Sequence, residues 1–463
     1  MWQGDDSNGS RMGEKDNGRS ISSRPRVAVA TVGCKVNQSE TEGWTTELLA
    51  AGIEPVPPDQ PADALLINSC TVTHRADRDV RRLIARFHRL APTAPVFIAG
   101  CLADADPGQA RDLPGVMRLV LRHEKTEAVR IMSEFGLPAP PASIAPATNY
   151  WPPPPTAASN RGRAFLKIQD GCDSACTYCI IPRARGRQRS RSEESILAAL
   201  QTMEERFFGE VLFTGVHLGR YGHDLASRTS LATLLHRALA ATTTIRFRLS
   251  SLEINELTPE LLELMATEPR ICPHLHIPLQ SGSERILRLM QRPYNPGEYI
   301  ARMEQIQSSL PTAAIGTDVM VGFPGETNED FADSLRVVQA LPFTYVHVFS
   351  YSPRPMTPAA RLPEHVPPGT VKLRAGKLRA EGMRKRQDYI RSQVDTQHEA
   401  VILDGGPSNH STNHSTNHST DLYRGLTENY LEITMEKCRT VRRRLTRVII
   451  RGVGNGQVYA EEV

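Results

Sequence analysis

Three cysteines near the middle of the chain have a spacing suited to metal chemistry. Cys172, Cys176 and Cys179 form a C-x3-C-x2-C arrangement, and no fourth cysteine lies nearby. Iron–sulfur clusters are usually held by four thiolates, so a loop of three leaves one iron open to a substrate or cofactor. Structural zinc is the alternative, but zinc sites generally contain a second close pair of ligands, and none follows this loop. The spacing therefore favours a reactive iron–sulfur cluster.

A second set of three cysteines follows predicted strands in the first part of the chain. Cys34, Cys70 and Cys101 come after the apolar segments 26–33, 64–68 and 95–99. Strands that alternate with helical stretches predict a parallel α/β sheet, and ligands gather at the carboxyl edge of such a sheet. We therefore expect the three cysteines to converge, although three unrelated buried cysteines remain the alternative on spacing alone.

The composition is that of an ordinary globular protein. The 463 residues are 23% charged and 40% hydrophobic, with a net charge of +4, which by itself does not imply nucleic acid. No stretch of about 18 apolar residues predicts a membrane span. Eight cysteines in so long a chain suit metal ligation in a reducing cytoplasm better than a disulfide framework. We therefore expect a cytoplasmic protein without a membrane partner.

The motifs around both sets of cysteines resemble those of one known family. The central loop, with Tyr178 before its last cysteine, is similar to that of radical S-adenosylmethionine (radical SAM) enzymes. Three further motifs look like the N-terminal domain of the methylthiotransferases: Gly33-Cys34-Lys-Val-Asn37, Asn68-Ser-Cys70-Thr-Val72 and Gly100-Cys101. The resemblance implies two 4Fe-4S clusters, one at each set of cysteines. It also implies S-adenosyl-L-methionine as cofactor, cleaved to a radical at the central cluster, and a flavodoxin- or ferredoxin-like electron donor.

Segments at the ends of predicted central strands resemble the cofactor pocket of this family. Glycines there permit close backbone approach, and polar residues can bind an amino acid and a ribose. On this basis we predict that the cofactor contacts are Tyr178, Gly215, Ser251, Glu253 and Gln280. His274 and His276, in the same segments, are interpreted as structural histidines.

Two groups of arginines indicate RNA binding. Arginines occupy alternate positions after the central cysteines, so an extended segment would present them on one face as a track for phosphates. They are Arg183, Arg185, Arg187, Arg189 and Arg191. Arg442, Arg443 and Arg444 add charge near the C-terminus, where the β-rich segment around Gly425 resembles the TRAM module, a small tRNA-binding barrel. A solvated basic surface is the alternative for both groups.

These features predict an α/β protein with an N-terminal parallel α/β domain, a central radical SAM partial barrel and a C-terminal small β-barrel. Repeated βα units place the active site at the carboxyl ends of the central strands. Within the linker, Tyr150 and Trp151 are interpreted as making only casual surface contact. The predicted domains are a disordered tail (1–24), the N-terminal cluster domain (25–137), a proline-rich linker (138–160), the radical SAM domain (161–388) and the TRAM-like domain (389–463) with a low-complexity loop (406–420).

The resemblance implies a tRNA-modifying enzyme. The Gly-Cys-Lys-Val-Asn-Gln start looks most like the branch that converts N6-threonylcarbamoyladenosine beside the anticodon to its 2-methylthio derivative. Methylthiotransferases for isopentenyladenosine tRNA or for a ribosomal protein are the enzymatic alternatives. A non-catalytic iron–sulfur RNA-binding protein is the third.

Overall fold

The computed structural model describes residues 24–140, 150–155, 162–405, 422–436, 438, 445–454 and 456–463. Three predictions therefore fall wholly or almost wholly outside the described residues. These are the disordered tail, the low-complexity loop at 406–420 and the RNA contacts of Arg442, Arg443 and Arg444.

The N-terminal unit is a parallel α/β sheet. Its strands are β1 (Arg26–Thr31), β2 (Glu54–Val56), β3 (Ala64–Ser69), β4 (Val96–Gly100) and β5 (Val116–Val120). Its helices are α1 (Lys35–Ala50), α2 (His74–His88), α3 (Cys101–Ala105), α4 (Pro107–Arg111) and α5 (Ala128–Ser133). The strand order is β2-β1-β3-β4-β5, and β3 and β4 are buried along their whole length, as expected for strands covered on both faces.

The central unit is a partial barrel of parallel strands. Its strands are β6 (Arg163–Lys167), β7 (Gln169–Asp170), β8 (Arg189–Ser190), β9 (Glu210–Thr214), β10 (Arg246–Leu249), β11 (His274–His276), β12 (Ala314–Val321) and β13 (Tyr345–Ser350). The three-stranded sheets β10-β9-β6 and β11-β12-β13 are joined by a parallel bridge between Phe247 and Ile271, while β7 and β8 form a small antiparallel ribbon. The predicted central barrel is confirmed.

Helices cover the outside of this barrel. They are α6 (Ile181–Arg185), α7 (Glu193–Glu205), α8 (Leu231–Ala241), α9 (Pro259–Thr267), α10 (Glu284–Leu289), α11 (Pro296–Ser309), α12 (Asn328–Ala340) and α13 (Pro368–Ser392). Ser192, Thr258 and Thr327 are the N-caps of α7, α9 and α12, where their side chains accept hydrogen bonds from backbone amides of the first turn. Helix α13 packs along β13 and leads into the last unit.

The C-terminal unit is a closed five-stranded barrel. Its strands are β14 (Gln397–Gly405), β15 (Tyr423–Thr427), β16 (Glu432–Met435), β17 (Leu445–Gly454) and β18 (Gln457–Glu462), in the order β14-β15-β16-β18-β17. It docks on the first residues of β10. Arg246 donates to the carbonyls of Glu399 and Leu426 at 2.6 and 3.0 Å, and Arg248 donates to those of Thr427 and Glu428 at 2.8 and 2.9 Å. This barrel therefore lies at the amino-terminal end of the central strands.

The linker segment at 150–155 is part of the packed structure. Tyr150 is buried and stacks on Trp44 with ring centroids 5.7 Å apart, and its hydroxyl donates to Glu47 Oε1 at 3.1 Å. Lys167 lies over the Trp151 ring at 5.3 Å. The interpretation of Tyr150 and Trp151 as casual surface contacts is wrong, because Tyr150 belongs to a core cluster with Trp44 and the Trp151 ring contacts the buried Lys167.

Candidate active site and metal centres

The central cysteines, called here the central triad, lie on a loop between β7 and α6. Gly171 opens this loop at φ +72°, and a Cβ there would lie 2.0 Å from the Arg187 carbonyl oxygen, so the position requires glycine. The Cys172 amide donates to the Gly186 carbonyl at 3.1 Å, which closes the loop at its base. The loop is thus anchored by backbone contacts, while its three thiols are half-buried.

His217 contacts the first cysteine of the central triad. Its Nδ1 lies 3.4 Å from Cys172 Sγ, and its Nε2 lies 2.6 Å from Glu256 Oε1. Burial alone would lower the pKa of His217, but the bonds to Cys172 and Glu256 outweigh burial and raise it to about 10. The imidazolium therefore places positive charge beside a sulfur atom that must be a thiolate to bind metal.

Arg292 contacts the second cysteine of the central triad. Its guanidinium donates to Cys176 Sγ at 3.5 Å, to the Tyr294 hydroxyl at 3.1 Å and to the Glu253 carboxylate. Tyr294 in turn donates to the Leu279 carbonyl at 3.1 Å, next to Gln280. A single hydrogen-bonded chain therefore connects the triad with Glu253 and ends at the residue before Gln280, the second predicted cofactor contact.

The five residues predicted to bind the cofactor occupy different positions around this chain. Tyr178 is half-buried and packs on the cluster formed by Ile286, Met290, Phe323 and Ala359. Glu253 belongs to the Arg292 chain. Gln280 has φ +63°, a left-handed backbone conformation that is uncommon for a residue with a side chain and is often stored at functional sites.

The remaining two predicted contacts differ in burial. Gly215 is half-buried, and a Cβ there would lie 2.9 Å from the Gln169 side chain. Ser251 is exposed, whereas its neighbour Ser250 is buried with an Oγ that has no hydrogen-bond partner among the described residues. The orphaned hydroxyl marks the end of β10 as a place where a ligand can supply the missing partner.

The N-terminal cysteines converge as the strand ends predict, and are called here the N-terminal triad. Cys34 precedes α1, Cys70 follows β3, and Cys101 begins α3. Gly33, at φ +127°, lies so close to Cys70 that a Cβ would be 3.3 Å from its Sγ. Asn37 accepts from Cys34 Sγ at 3.6 Å and donates to the Ser69 carbonyl at 2.9 Å, so it links two of the three cysteine segments.

Arg185 lies between the two triads and is fully enclosed. Its guanidinium donates to Glu40 at 3.1 Å, to Asp170 at 2.9 Å and to Asn37 Oδ1 at 2.5 Å. Lys125 and Lys167 also pair with Glu40, at 2.8 and 2.7 Å. This buried network joins α1 of the N-terminal unit to β7 and α6 of the central unit.

The prediction that five alternate arginines form one RNA-facing track is wrong. Residues 181–185 form helix α6 instead of an extended segment, so the alternate side chains do not share a face. Arg185 is buried in the network above, and Arg191 is buried against Ser195 and the Pro152 carbonyl. Arg189 is half-buried, and only Arg183 and Arg187 of the five are exposed.

Charged and aromatic side chains line the lumen of the partial barrel. Glu210 lies within 3.3 Å of Arg163, 2.9 Å of Arg246 and 2.8 Å of Arg248. Lys35, from α1, lies 5.6 Å from the Tyr430 ring centroid, which is contributed by the C-terminal barrel. All three units therefore contribute to the lumen.

A second polar group lies along the β11–β13 wall. Asp318 Oδ1 is 2.9 Å from His276 Nε2 and 3.3 Å from His347 Nδ1. His274 bonds the Tyr345 hydroxyl at 2.8 Å and stacks on Tyr430 at 4.1 Å. The two histidines interpreted as structural both have partners in the protein.

Sequence reasoning missed His217, Arg292 and Lys35. His217 lies in Thr214-Gly-Val-His-Leu-Gly219, a segment that follows a predicted strand, so its position at the carboxyl edge was a usable signal. Arg292 is 116 positions from the cysteine it contacts, and no local pattern connects the two. Lys35 adjoins Cys34, but the sequence does not indicate that it points into the central barrel.

Both triads fit an iron–sulfur cluster by the chemistry of their donors. Each offers three thiols, the soft ligands that such clusters use, and each has an arginine beside it that offsets the thiolate charge. Burial raises the pKa of Cys70 and of Cys179 to about 12. These thiols therefore hold their protons at neutral pH, and metal binding must displace them.

Two families match segments of the chain, and proteins similar over most of its length are known. The Radical SAM superfamily matches residues 166–338, and uncharacterized protein family UPF0004 matches residues 26–122. The threonylcarbamoyladenosine tRNA methylthiotransferase MtaB of Bacillus subtilis is 33% identical over 89% of this chain and 90% of that protein. The chain belongs to the radical SAM methylthiotransferase family. As a member, it is an enzyme that uses 4Fe-4S clusters and S-adenosyl-L-methionine.

Further methylthiotransferases have similar identities. The MtaB protein of Aquifex aeolicus is 35% identical over 92% of this chain and 100% of that protein. The tRNA-2-methylthio-N(6)-dimethylallyladenosine synthase of Acidothermus cellulolyticus is 35% identical over 82% of this chain and 78% of that protein. These values confirm the resemblance to the family.

A solved structure shares the fold of this methylthiotransferase. The radical S-adenosylmethionine methyltransferase TsrM of Kitasatospora setae aligns with a TM-score of 0.52 and 15% identity, over 73% of this chain and 77% of that chain. Within the described part of the chain, no helix has the length and apolar character needed to cross a membrane.

Proposed function

We propose that the protein is a tRNA methylthiotransferase that converts N6-threonylcarbamoyladenosine next to the anticodon to its 2-methylthio derivative. The observation that carries the proposal is that Arg185 links the two cysteine triads. Its guanidinium contacts Glu40 and Asn37 on α1, which follows Cys34 of the N-terminal triad. It also contacts Asp170, which precedes the central triad. An adenine C–H bond has no useful acidity, so a general base alone does not activate it. Radical chemistry beside a sulfur source suits that bond.

The six cysteines divide into two ligand sets in this proposal. Cys172, Cys176 and Cys179 hold one 4Fe-4S cluster and leave an iron for S-adenosyl-L-methionine, while the N-terminal triad holds the second. When bound, these groups supply a 5′-deoxyadenosyl radical and the sulfur that is transferred. The burial of Cys70 and Cys101, the half-buried central thiols and the arginines beside each triad support this division.

The protein's own residues position the reacting groups. His217 orients Cys172, and Arg292 holds Cys176 and the Glu253 carboxylate in one chain. Glu253 belongs to this chain and Gln280 follows Leu279 at its end, and we propose that both bind the polar end of the cofactor. Tyr178, Gly215 and Ser251 complete the proposed cofactor site, with Ser251 at its exposed rim.

Water exclusion is the role we assign to the other two units. The C-terminal barrel covers one end of the central strands through Arg246 and Arg248. The N-terminal unit covers β6 through α1, where Ser39 donates to the Phe165 carbonyl at 3.1 Å. A radical formed inside is thereby kept from reacting with solvent.

We propose that tRNA binds near the exposed Arg183 and Arg187 and on the C-terminal barrel, where Arg442, Arg443 and Arg444 remain predicted contacts. The proposed tRNA substrate places the enzyme in the cytoplasm. A flavodoxin- or ferredoxin-like protein would supply the electron.

The choice of substrate branch is supported by the relatives. The Bacillus subtilis and Aquifex aeolicus proteins are named for threonylcarbamoyladenosine. The Acidothermus cellulolyticus protein, also 35% identical, is named for dimethylallyladenosine, so identity alone does not separate the two branches. The experiment must therefore distinguish the 2-methylthio derivatives of these two nucleosides from each other.

Nucleoside mass spectrometry of tRNA from cells with and without the gene makes this test. We expect loss of the 2-methylthio form of threonylcarbamoyladenosine alone, and restoration by the intact gene. A gene that encodes C176A should not restore the 2-methylthio nucleoside, and the purified C176A protein should not cleave the cofactor. The purified C34A protein should still cleave the cofactor but should form no methylthiolated tRNA. Loss of the dimethylallyl derivative instead would move the enzyme to the other branch, and an unchanged profile would refute a tRNA substrate.

A further inference from the structure

The Lys35 ammonium lies in the lumen of the central barrel and, in the described part of the chain, forms no ion pair with a carboxylate. Lys35 is the first residue of α1 and directly follows Cys34 of the N-terminal triad. Its side chain is half-buried, and its Nζ lies over the Tyr430 ring at 5.6 Å from the centroid. Among the described residues it makes no hydrogen bond or ion pair.

The two carboxylates that act electrostatically on Lys35, those of Glu210 and Asp318, are already engaged by other groups. Glu210 is surrounded by Arg163, Arg246 and Arg248 at 2.8 to 3.3 Å. Asp318 lies 2.9 Å from His276 and 3.3 Å from His347. An ammonium that is partly removed from water is stabilised by a carboxylate, and the described residues do not provide a free one here.

The substrate named in the proposed function provides that carboxylate. Threonylcarbamoyl is threonine joined through its amino nitrogen to the N6 carbonyl, so its carboxylate and hydroxyl stay free. A dimethylallyl group has neither. The position of Lys35 beside Cys34 would bring the modified base to the N-terminal triad when the carboxylate is bound.

We propose that Lys35 binds the free carboxylate of the substrate's threonyl group and thereby selects threonylcarbamoyladenosine over adenosines with uncharged substituents. This inference rests on the proposed function. Lys35 is a specificity-determining residue, and the Tyr430 ring of the C-terminal barrel packs against it. The substrate would then contact the N-terminal unit and the central lumen together.

A matched pair of substrates tests the inference in the complete, reconstituted enzyme. One anticodon stem-loop RNA carries threonylcarbamoyladenosine with its free carboxylate, and the other carries its methyl ester, which has the same shape without the charge. Mass spectrometry of the product gives kcat/KM for each. We expect the parent to prefer the free carboxylate by about 10- to 100-fold, the range of a charge-assisted hydrogen bond.

Variants at position 35 test whether Lys35 causes this preference. K35Q should lower the ratio of the two kcat/KM values to about 1, and K35R should retain part of the preference because it keeps the charge. K372Q, at an exposed lysine on α13, should leave the ratio unchanged. Iron content and cofactor cleavage, measured on every variant, report whether the clusters are intact.

The possible results separate this inference from the proposed function. Equal kcat/KM of the parent on both RNAs would overturn the role of Lys35 while the tRNA function stands. A full carboxylate preference in K35Q would do the same. If the parent modifies neither RNA, the proposed function and the inference both fall.

Discussion

Arg185 and Glu40 form a buried ion pair, with 3.1 Å between Nη1 and Oε1, across the boundary of the N-terminal and central units. Both side chains are almost fully enclosed, at 2% and 0% exposure. The guanidinium holds the pKa of the Glu40 carboxyl well below its usual range even though burial opposes this. The pair therefore fixes two parts of the chain that each deliver one cysteine triad.

Removal of the Arg185 charge should destabilise this boundary. R185Q leaves Glu40 and Asp170 with fewer cations in a buried site, and breaking a buried pair in this way costs about 3–5 kcal/mol. We expect a lower urea midpoint of the purified protein and loss of iron from the N-terminal triad. R187Q is the matched control, because the Arg187 side chain is 91% exposed and should leave the midpoint unchanged. A parent-like midpoint in R185Q would contradict this account.

The exposed arginines give a separate prediction about tRNA affinity. R183A and R187A should each weaken binding and reduce the slope of log K against log salt by about one, since each would release one counterion. Filter binding between 50 and 200 mM salt measures the slope. R82A removes an exposed arginine from α2 and serves as the control. Unchanged slopes in both variants would exclude this surface as a phosphate contact.

The sequence predicted those parts of the site that a local motif and the order of the strands determine. It did not predict contacts between residues that are far apart in the chain. Cys34, Cys70 and Cys101 could be brought together because parallel strands end at one edge. The role of Arg185 could not be predicted, since its partner Glu40 is 145 positions away. A run of alternate arginines is typical of an RNA-binding strand, but Pro182 in the first turn begins a helix instead.

Another difference has the same origin. Burial of Tyr150 depends on Trp44, more than 100 positions earlier. A proline-rich composition predicts an irregular backbone, but it does not indicate which aromatic side chain is buried in the core.

The raised pKa of the Glu47 carboxyl leads us to expect that the stability of the protein depends on pH. Burial raises its pKa to about 8, and the hydrogen bond from Tyr150 offsets this only in part. Tyr150 stays neutral because its own pKa is raised well above the usual value, and the neighbouring Glu40 is paired with Lys125 and Lys167. The folded state therefore binds a proton that the unfolded state has lost, so the contribution of Glu47 falls as pH rises from about 4.5 to about 8.

E47Q mimics the protonated carboxyl and should remove this loss. We expect its free energy of unfolding, measured by urea, to exceed that of the parent by about 4 kcal/mol at pH 8 and by less at pH 5.5. E134Q changes an exposed carboxyl and should show no such trend. A gain of E47Q that is the same at both pH values would contradict the raised pKa.

His217 should affect the central triad alone. Residues that contact a metal ligand typically change metal affinity or activity by about 10- to 100-fold. In a protein lacking Cys34, Cys70 and Cys101, iron release to a chelator reports only the cluster at Cys172, Cys176 and Cys179. We expect H217A to accelerate this release about tenfold or more, and H223A, at an exposed histidine, to leave it unchanged. Equal release rates would show that the contact of His217 with Cys172 does not support the cluster.

Gly100 should affect the N-terminal triad alone, because it sets the backbone immediately before Cys101. Its φ is +91°, and a Cβ there would lie 2.3 Å from the Ser69 carbonyl oxygen. The clash involves backbone of β3, which is hydrogen-bonded in the sheet and cannot move without shifting Cys70 as well. G100A should therefore displace two of the three cysteines, at a cost of about 1–3 kcal/mol in stability.

The measurable consequence is selective loss of metal. G100A should retain roughly half of the parent's iron after reconstitution, because the central triad is untouched. It should still cleave S-adenosyl-L-methionine but give no methylthiolated product. G108A, in helix α4, is the control, since its Cβ would have no neighbour closer than 3.7 Å. Full iron and full product in G100A would mean that the close approach of β4 to β3 is not what holds Cys70 and Cys101 together.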